Sequence, residues 1–196
     1  MTEYLSQKYN HKERWSSYLE QINLSIDCKS KNILYVGIGS GLVSNYLSKM
    51  HEVTTFDSNK KLKPDIHGDI LEFGKKVDKR YDLLICCQVL EHIDYNRLEF
   101  ILKQFKENVN KNVILSLPDS RHHFRAEFRL NKHKYKLKYS VPFTKRYNNI
   151  HKWEIGWKGI SIDVVRKSIK KHFKIIKEYG LFEDPYYRFY LLEVKK

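Results

Sequence analysis

The sequence predicts a doubly wound α/β domain, in which a mostly parallel sheet is covered by helices on both faces. Short apolar runs alternate with helical or loop segments through the first half of the chain, and such alternation is typical of βαβ units. Residues 83–87 are continuously apolar, as expected for a central parallel strand that is buried on both faces. Because 196 residues suffice for one well-buried core, we expect residues 1–196 to form a single domain.

A helix is predicted before the first strand. Apolar residues recur at helical intervals between Trp15 and Ile26, which predicts an amphipathic helix over about residues 3–26 that packs on the domain. We expect the basic residues near its start to form a solvated face, namely Lys8, His11, Lys12 and Arg14.

The first predicted strand ends in three glycines at alternate positions, Gly37, Gly39 and Gly41. Residues 33–36 favour a strand, whereas apolar residues follow at helical spacing from Leu42, so the glycines mark a strand-to-helix turn. Glycine has no Cβ, and the turn can therefore bring backbone amides against a small ligand. A dinucleotide fingerprint needs its third glycine where Leu42 stands, which makes a nicotinamide cofactor the weaker interpretation.

A carboxylate follows the second predicted strand, residues 53–56. Asp57 lies 18 residues beyond Gly39, and at the end of a strand it can accept hydrogen bonds from both hydroxyls of a ribose. A lone Asp in such a place can also be only a turn residue. Together with the glycine turn, Asp57 favours an adenosyl ligand without phosphates.

The C-terminal part returns to regular elements. Residues 113–117 have the apolar character of another buried strand. Ser161 is expected to cap a helix whose apolar residues recur up to Phe173. Residues 174–177 and 188–194 resemble strands on either side of a linker, and we expect them to form an antiparallel hairpin at one edge of the sheet.

A basic, aromatic insert or lid is predicted over about residues 119–157. Between Asp119 and Lys152, ten Lys or Arg residues accompany two acidic residues, a net charge of +8 out of +14 for the chain. Phe124 and Phe128 are expected on one face of a helix, whereas residues 132–139 alternate between cationic and apolar side chains as a strand would. Three interpretations stay open: an RNA-binding face, a lid over an anionic acceptor, and a solvated surface.

Composition limits the other classes of protein. No apolar run approaches the length of a membrane span, and the start of the chain has no signal-peptide pattern, so a cytoplasmic location is expected. The three cysteines do not suggest a disulfide framework. The net charge of +14 indicates attraction to anionic partners.

Taken together, four motifs resemble the class I S-adenosylmethionine-dependent methyltransferases. These are the glycine turn at 37–41, Asp57, the segment Gly68, Asp69 and Ile70, and the run Leu90, Glu91 and His92. Residues 151–156 and 183–187 look like a bacterial and archaeal subgroup of undefined substrate. The resemblance implies an enzyme with a Rossmann-like fold of seven strands in three αβα layers, the last strand being antiparallel.

The same resemblance implies S-adenosyl-L-methionine as the cofactor and assigns its contacts. The glycines Gly37, Gly39 and Gly41 form the first motif, Asp57 binds ribose, and Asp69 and Ile70 lie against adenine. Tyr35 stands where the family usually has an acidic residue, and a phenol supplies a hydrogen bond but no charge. Gln88, after the fourth strand, is a further expected cofactor contact.

Methyl transfer is an in-line displacement, which needs alignment and, for hydroxyl or protonated amine acceptors, a base. His92 and His151 are the candidate bases, although His92 could serve only to orient its own segment. Acceptor contacts are expected from His122, His123, Arg125 and Trp153. Alternatively, the two histidines lie on the surface and the tryptophan belongs to the core.

No metal is expected. Glu91, His92 and His151 resemble the metal-site residues of enzymes that methylate a 2′-hydroxyl at small-RNA ends, but Gln88 replaces the first glutamate of that set, and a neutral amide weakens a site for a hard cation. The predicted reaction is therefore metal-independent transfer to an oxygen or nitrogen of an anionic small molecule, glycan or lipid. The alternatives are an RNA methyltransferase of the 2′-hydroxyl type and a non-catalytic RNA-binding module.

Overall fold

A computed structural model describes Ser6, residues 11–144 and residues 150–195 of the chain. Its helices are α1 (Lys12–Asp27), α2 (Leu42–Leu47), α3 (Phe73–Lys76), α4 (Leu98–Glu107) and α5 (Ile162–His172). Its strands are β1 (Asn32–Val36), β2 (Glu52–Asp57), β3 (Ile66–His67), β4 (Tyr81–Cys87), β5 (Val109–Pro118), β6 (Arg121–Leu130), β7 (His133–Thr144), β8 (Phe173–Gly180) and β9 (Tyr187–Val194).

Seven strands form the central sheet, in the order β3-β2-β1-β4-β5-β9-β8. β1 pairs in parallel with both β2 and β4, whereas β9 runs antiparallel between β5 and β8. The prediction of a mostly parallel sheet closed by an antiparallel hairpin is confirmed. The strand order reverses between β1 and β4, and open parallel sheets bind their ligands at the carboxyl ends of the strands at such a point.

Two apolar layers enclose the sheet because successive residues of a strand point to opposite faces. Leu34 and Val36 of β1 pack in the layer that contains α3, α4 and α5. Ile33 and Tyr35 pack in the layer that contains α1 and α2. This arrangement confirms the three-layer αβα architecture. No helix among the described residues has the length and apolar character needed to cross a membrane.

The first helix differs from its prediction in start and in orientation. It begins at Lys12 after the extended residue His11, and of residues 3–10 all but Ser6 lie outside the described part of the chain. Its buried face is partly polar, since Gln21 is buried while Leu19 is 59% exposed. The phenol of Tyr35 donates a 2.7 Å hydrogen bond to Gln21 Oε1, so a buried hydroxyl on β1 requires a polar acceptor on the helix.

Within the predicted insert, about residues 119–157, β6 and β7 form a β-ribbon, which pairs as a separate two-stranded sheet. The expected helix at Phe124 and Phe128 is wrong, because both residues lie in β6. A spacing of four places side chains on one face of a strand as well as of a helix. The strand alternation predicted for residues 132–139 is confirmed from His133 onward by β7.

A buried ion cluster around Asp119 joins the ribbon to the sheet. Its carboxylate accepts hydrogen bonds from Arg121 at 2.8 and 2.7 Å and from Arg188 Nε of β9 at 2.8 Å. Burial raises the pKa of Asp119, but the hydrogen bonds from both arginines outweigh this effect and hold the pKa below its ordinary value. The cluster fixes the direction in which the chain leaves β5.

We expect Asp119→Asn to lower the free energy of unfolding by about 3 kcal/mol at pH 7, because it leaves buried guanidinium charge without its carboxylate. The folded-state pKa of Asp119 is depressed. The stabilisation by its carboxylate is therefore complete above a pH of about 3.9, the pKa of Asp in the unfolded chain, and is lost as the pH falls through the folded-state pKa. Urea unfolding of both proteins at pH 7 and below about pH 4 checks this. If the difference in free energy of unfolding between the wild-type protein and the variant stays constant with pH, the prediction is wrong.

Candidate active site

A cavity of about 710 Å³ opens at the carboxyl ends of β1, β2 and β4. Its lining combines the glycine turn, the end of β2, the segment after β4, one face of α1 and the described residues Ile150, His151 and Tyr186. The volume lies within the usual range for pockets that bind small molecules and cofactors. The cavity therefore stands where the strand order predicts a ligand.

The glycine turn needs its glycines for conformation and for space. Gly37, Gly39 and Gly41 have φ angles of 84°, 54° and 75°, a region that other residues rarely adopt. A Cβ at Gly37 would lie 2.4 Å from Val89 Cγ2, which follows β4. The loops after β1 and β4 thus approach each other as closely as a glycine permits.

Asp57 holds the turn in place. Its Oδ2 accepts a 2.7 Å hydrogen bond from the Ile38 amide, and its Oδ1 accepts a 2.8 Å bond from the Asn59 amide. A carboxylate oxygen has two lone pairs, so each oxygen can accept a further hydrogen bond from a ligand in the cavity.

Asp69 and Ile70 lie on the same side of the cavity as Asp57 in the segment after β3. The Asp69 carboxylate accepts a 2.8 Å hydrogen bond from the Leu71 amide and starts a short 3₁₀ helix. Ile70 is buried and lines the cavity, where it presents an apolar side chain.

Gln88 adopts an uncommon backbone conformation at the end of β4, with φ of 56°. Such a conformation costs a non-glycine residue on the order of 1 kcal/mol. The residue is held by hydrogen bonds to Ser116, from its amide to the carbonyl at 3.0 Å and from Nε2 to the hydroxyl at 3.3 Å. Both Gln88 and Tyr35 line the cavity.

Two histidines face each other at the other end of the cavity. The rings of His92 and His151 have centroids 4.9 Å apart at 82°. Nδ1 of His151 lies 2.7 Å from Glu154 Oε1, which also accepts a 2.8 Å hydrogen bond from the Tyr186 hydroxyl. The two predicted bases are therefore neighbours, although 59 residues separate them in the sequence.

Burial and charge move the pKa values of the two rings in opposite directions. Burial, and then the neighbouring His151, lower the pKa of His92. Burial alone would also lower the pKa of His151, but its hydrogen bond to the Glu154 carboxylate and the nearby Glu91 raise it. His92 is therefore the weaker base of the pair, and at a given pH its ring is more often neutral and able to accept a proton than that of His151.

Glu91 adds a buried carboxyl group to the pair. The residue is fully buried, and neither of its carboxylate oxygens has a hydrogen-bond partner among the described residues. Burial raises its pKa to about 7. Three potential ligand atoms, one each from Glu91, His92 and His151, lie within 4.8 Å of one another. These residues could hold a metal ion, whereas the sequence predicted no metal site.

The predicted acceptor contacts do not gather at this cavity. Trp153 is fully buried in the core and donates a 3.1 Å hydrogen bond from Nε1 to the Leu90 carbonyl. His123 bonds to Ser140 and Asp119, and Arg125 bonds to the carbonyl of Phe182. With His122, these residues are absent from the lining of the cavity. His122, His123 and Arg125 lie in β6 of the ribbon, and Trp153 belongs to the core.

The sequence did not predict several of the residues that line the cavity. Arg14, expected on a solvated face, lines the cavity together with Gln21 of the same helix and Tyr186 before β9. The helical spacing of Ser17, Gln21 and Ser25, which are all buried, was the available signal, since a polar stripe on a packed helix indicates a polar neighbour.

Comparison with known proteins supports the fold. No protein-family model matches the sequence, and no curated protein matches it by sequence. Among solved structures, N-methyltransferase NodS from Bradyrhizobium japonicum WM9, in complex with S-adenosyl-L-homocysteine, superposes with a TM-score of 0.66 at 10% identity, covering 95% of this chain and 90% of that chain.

Two further structures agree. The glycopeptide N-methyltransferase MtfA with S-adenosyl-L-homocysteine gives a TM-score of 0.59 at 14% identity, over 90% of this chain and 89% of that chain. Magnesium protoporphyrin IX methyltransferase (ChlM) from Synechocystis PCC 6803 with bound S-adenosylmethionine gives a TM-score of 0.56 at 13% identity, over 93% of this chain and 80% of that chain. This chain has the Rossmann-like fold of class I methyltransferases.

We expect Gly37→Ala to destabilise the protein more than Gly159→Ala. Both glycines have positive φ angles, but a Cβ at Gly159 meets no atom within 4 Å, so only its backbone cost of about 1 kcal/mol applies. At Gly37 the contact with the stiff Val89 side chain adds about 1 to 3 kcal/mol. Urea unfolding of the two variants measures the difference, and equal losses would show that the Val89 segment yields freely.

Proposed function

We propose that the protein is an S-adenosyl-L-methionine-dependent methyltransferase that transfers a methyl group to an oxygen or nitrogen of a small-molecule, glycan or lipid acceptor. One observation carries the proposal: a single cavity runs from the glycine turn and Asp57 to the paired rings of His92 and His151. A cofactor bound at the first end would direct its reactive group toward the second.

The adenosyl part of the cofactor would lie between the glycine turn and the segment after β3. Asp57 has acceptor capacity left for the two ribose hydroxyls, and Ile70 offers an apolar surface to adenine. The fold supports this position, because ligands of doubly wound sheets bind at the strand ends beside the point of reversal.

The methionine part would meet β1 and helix α1. Tyr35 replaces the acid that the family usually has, and its phenol is fixed by Gln21. Arg14, from the same helix, lines the cavity and supplies a positive charge that suits a carboxylate. We infer that α1 takes part in binding the methionine part, since Arg14 and Gln21 of this helix both line the cavity.

The chemical step needs alignment and a proton acceptor. S-adenosylmethionine, when bound, would supply its methyl group to the acceptor atom in an in-line displacement, with the electron pair of the broken carbon–sulfur bond staying on sulfur. An imidazole would take the proton that the acceptor loses. His92 and His151 are the candidates for this role. Glu154 and Tyr186 hold the ring of His151 by hydrogen bonds, so they act as positioning residues.

A second candidate is metal-assisted transfer to a hydroxyl group, which the unpaired carboxylate of Glu91 favours. A divalent ion would be held by Glu91, His92 and His151, with Glu154 orienting the last of these, as carboxylates commonly orient metal-ligating histidines. Two imidazoles and one carboxylate suit transition metals better than magnesium. Such an ion, when bound, lowers the pKa of a coordinated hydroxyl.

Three further expectations from the sequence stay predictions. RNA is supported by the positive charge of the insert, and a non-catalytic module by the lack of an acid at Tyr35. An anionic acceptor is supported by the positive charge of Arg14. Among the described residues that line the cavity, Arg14 is the single Lys or Arg residue.

We expect Asp57→Asn to weaken binding of S-adenosylhomocysteine by at least about tenfold, since a lost charge-assisted hydrogen bond costs about 1.5 to 3 kcal/mol. Asp65→Asn is the matched control, because Asp65 also bonds to β2, through Thr55, but lies outside the lining. Isothermal titration calorimetry measures both. Failure of the wild-type protein to bind the ligand would overturn the proposed cofactor.

We expect His92→Gln to lower methyl transfer by about 10²- to 10⁴-fold while binding of S-adenosylhomocysteine stays within about twofold. His51→Gln, at a ring that bonds to Ser30 far from the cavity, should keep full activity. The assay supplies methyl-labelled cofactor and an extract of the source cells, and counts label in RNA, lipid, glycan and small-molecule fractions.

The same assay separates the two candidate functions. Activity that survives dialysis against a chelator supports transfer by the histidines alone. Activity that is lost and then restored by a transition-metal ion supports the second candidate. Label in no fraction, together with intact cofactor binding, would contradict the proposed transfer reaction.

A further inference from the structure

The ribbon formed by β6 and β7 separates its side chains by chemistry. Residues paired across the strands point to the same side, and Phe124 pairs with Tyr139, Ala126 with Leu137 and Phe128 with Tyr135. We call this side the apolar face. Its apolar residues are Phe124, Ala126, Phe128, Leu130, Tyr135, Leu137 and Tyr139, and His122 and His133 lie on the same side. The other side is the basic face, comprising Arg125, Arg129, Lys134, Lys136, Lys138 and one acid, Glu127.

The basic face packs toward the domain. Arg125 donates a 2.8 Å hydrogen bond to the Phe182 carbonyl, Lys138 donates a 3.0 Å bond to the Leu181 carbonyl, and Lys136 pairs with Glu183 at 2.6 Å. All three partners belong to the segment between β8 and β9. Three of the five cations of the basic face therefore attach the ribbon to the domain, whereas Arg129 and Lys134 are exposed.

The apolar face is left exposed. Phe124 and Leu130 are each 67% exposed and Tyr139 is 66% exposed, and their neighbours on this face continue the patch along the ribbon. A contiguous apolar patch of this kind on a protein surface marks a site of interaction. The ribbon carries it on a two-stranded element that extends beyond the central sheet.

We propose that the apolar face of the ribbon binds the surface of an anionic membrane. Phenylalanine and leucine side chains enter the boundary between headgroups and acyl chains, and tyrosines place their hydroxyls at the polar level. This binding is independent of the proposed methyl transfer, because the ribbon residues lie outside the lining of the cavity.

Charge selects the membrane as the partner. The chain carries a net charge of +14, and anionic lipids attract basic surfaces over about one Debye length, or roughly 10 Å. A two-stranded ribbon is about 10 Å thick including its side chains, so the cations of the basic face remain within this range while the apolar face is inserted. Long lysine side chains can also bend toward the headgroups.

The same features disfavour two other occupants. A second copy of the chain would bring another charge of +14 to the contact, and like charges repel. Single-stranded RNA is bound by aromatic side chains and by cations that follow the backbone beside them, whereas the strand alternation places the aromatic residues and the cations of the ribbon on opposite faces.

The test is flotation of the full-length protein with vesicles. We expect binding to vesicles of equal parts phosphatidylglycerol and phosphatidylcholine to exceed binding to phosphatidylcholine alone by at least about tenfold, and to weaken as salt is added. The double substitution Phe128→Ser and Leu130→Ser should reduce binding to the anionic vesicles by at least about tenfold, because it removes two inserted side chains.

The matched control is the double substitution Leu19→Ser and Phe100→Ser. These residues are 59% and 48% exposed, against 67% and 50% for Leu130 and Phe128, but they lie in α1 and α4. The control should bind anionic vesicles within about twofold of the wild-type protein. Phe124→Ser alone provides a second ribbon variant with a smaller loss.

Four outcomes would overturn the proposal. They are wild-type protein that does not float with anionic vesicles, equal losses in the ribbon and control variants, a wild-type dimer in ultracentrifugation that the ribbon substitution makes monomeric, and binding of the ribbon to single-stranded RNA in place of vesicles. The third result would assign the apolar face to a second copy, and the fourth to RNA.

Discussion

The hydrogen bond from the Ile38 amide to the Asp57 carboxylate is the contact on which the arrangement of the cavity depends. β1 and β2 are parallel neighbours with Val36 opposite Phe56, so the glycine turn and Asp57 leave the sheet at the same edge. The 2.7 Å bond joins these two loops, while the close approach of Gly37 to Val89 joins the first of them to the segment after β4. Three loops become one rigid unit, and the cavity is the space they enclose.

A different constraint acts at the histidine end, where the chain buries two carboxyl groups. Burying a carboxylate costs several kcal/mol unless it is paired. Glu154 is paired with His151 and Tyr186, but Glu91 is fully buried without a hydrogen bond from the described residues. The apolar layers of the sheet do not need this group, and buried carboxyls with raised pKa values are concentrated at functional sites. Its retention in the interior therefore points to the chemistry of the cavity.

The features that could be predicted from the sequence are those determined by near neighbours along the chain. The glycine turn, Asp57 and the alternation in β7 each depend on a few adjacent residues. The contact of Tyr35 with Gln21 could not be predicted, because it depends on the rotation of α1 against the sheet. Trp153 resembles a pocket residue in sequence and is a core residue in space, since its segment passes under Leu90. Phe124 and Phe128 show a third limit, because a spacing of four fits one face of a helix and one face of a strand.

The insert shows why net charge alone does not identify a binding surface. Its charge of +8 suggested cations displayed toward a partner or an acceptor, yet Arg121, Arg125 and Lys138 are engaged in bonds that attach the ribbon to the domain. Those cations can neutralise little charge on an acceptor in the cavity, because they lie outside its lining. Among the described residues of the lining, the single Lys or Arg residue is Arg14. Its apolar face, in contrast, is exposed without such attachments. The alternation of residues in the ribbon thus places its cations on one face and its aromatic residues on the other.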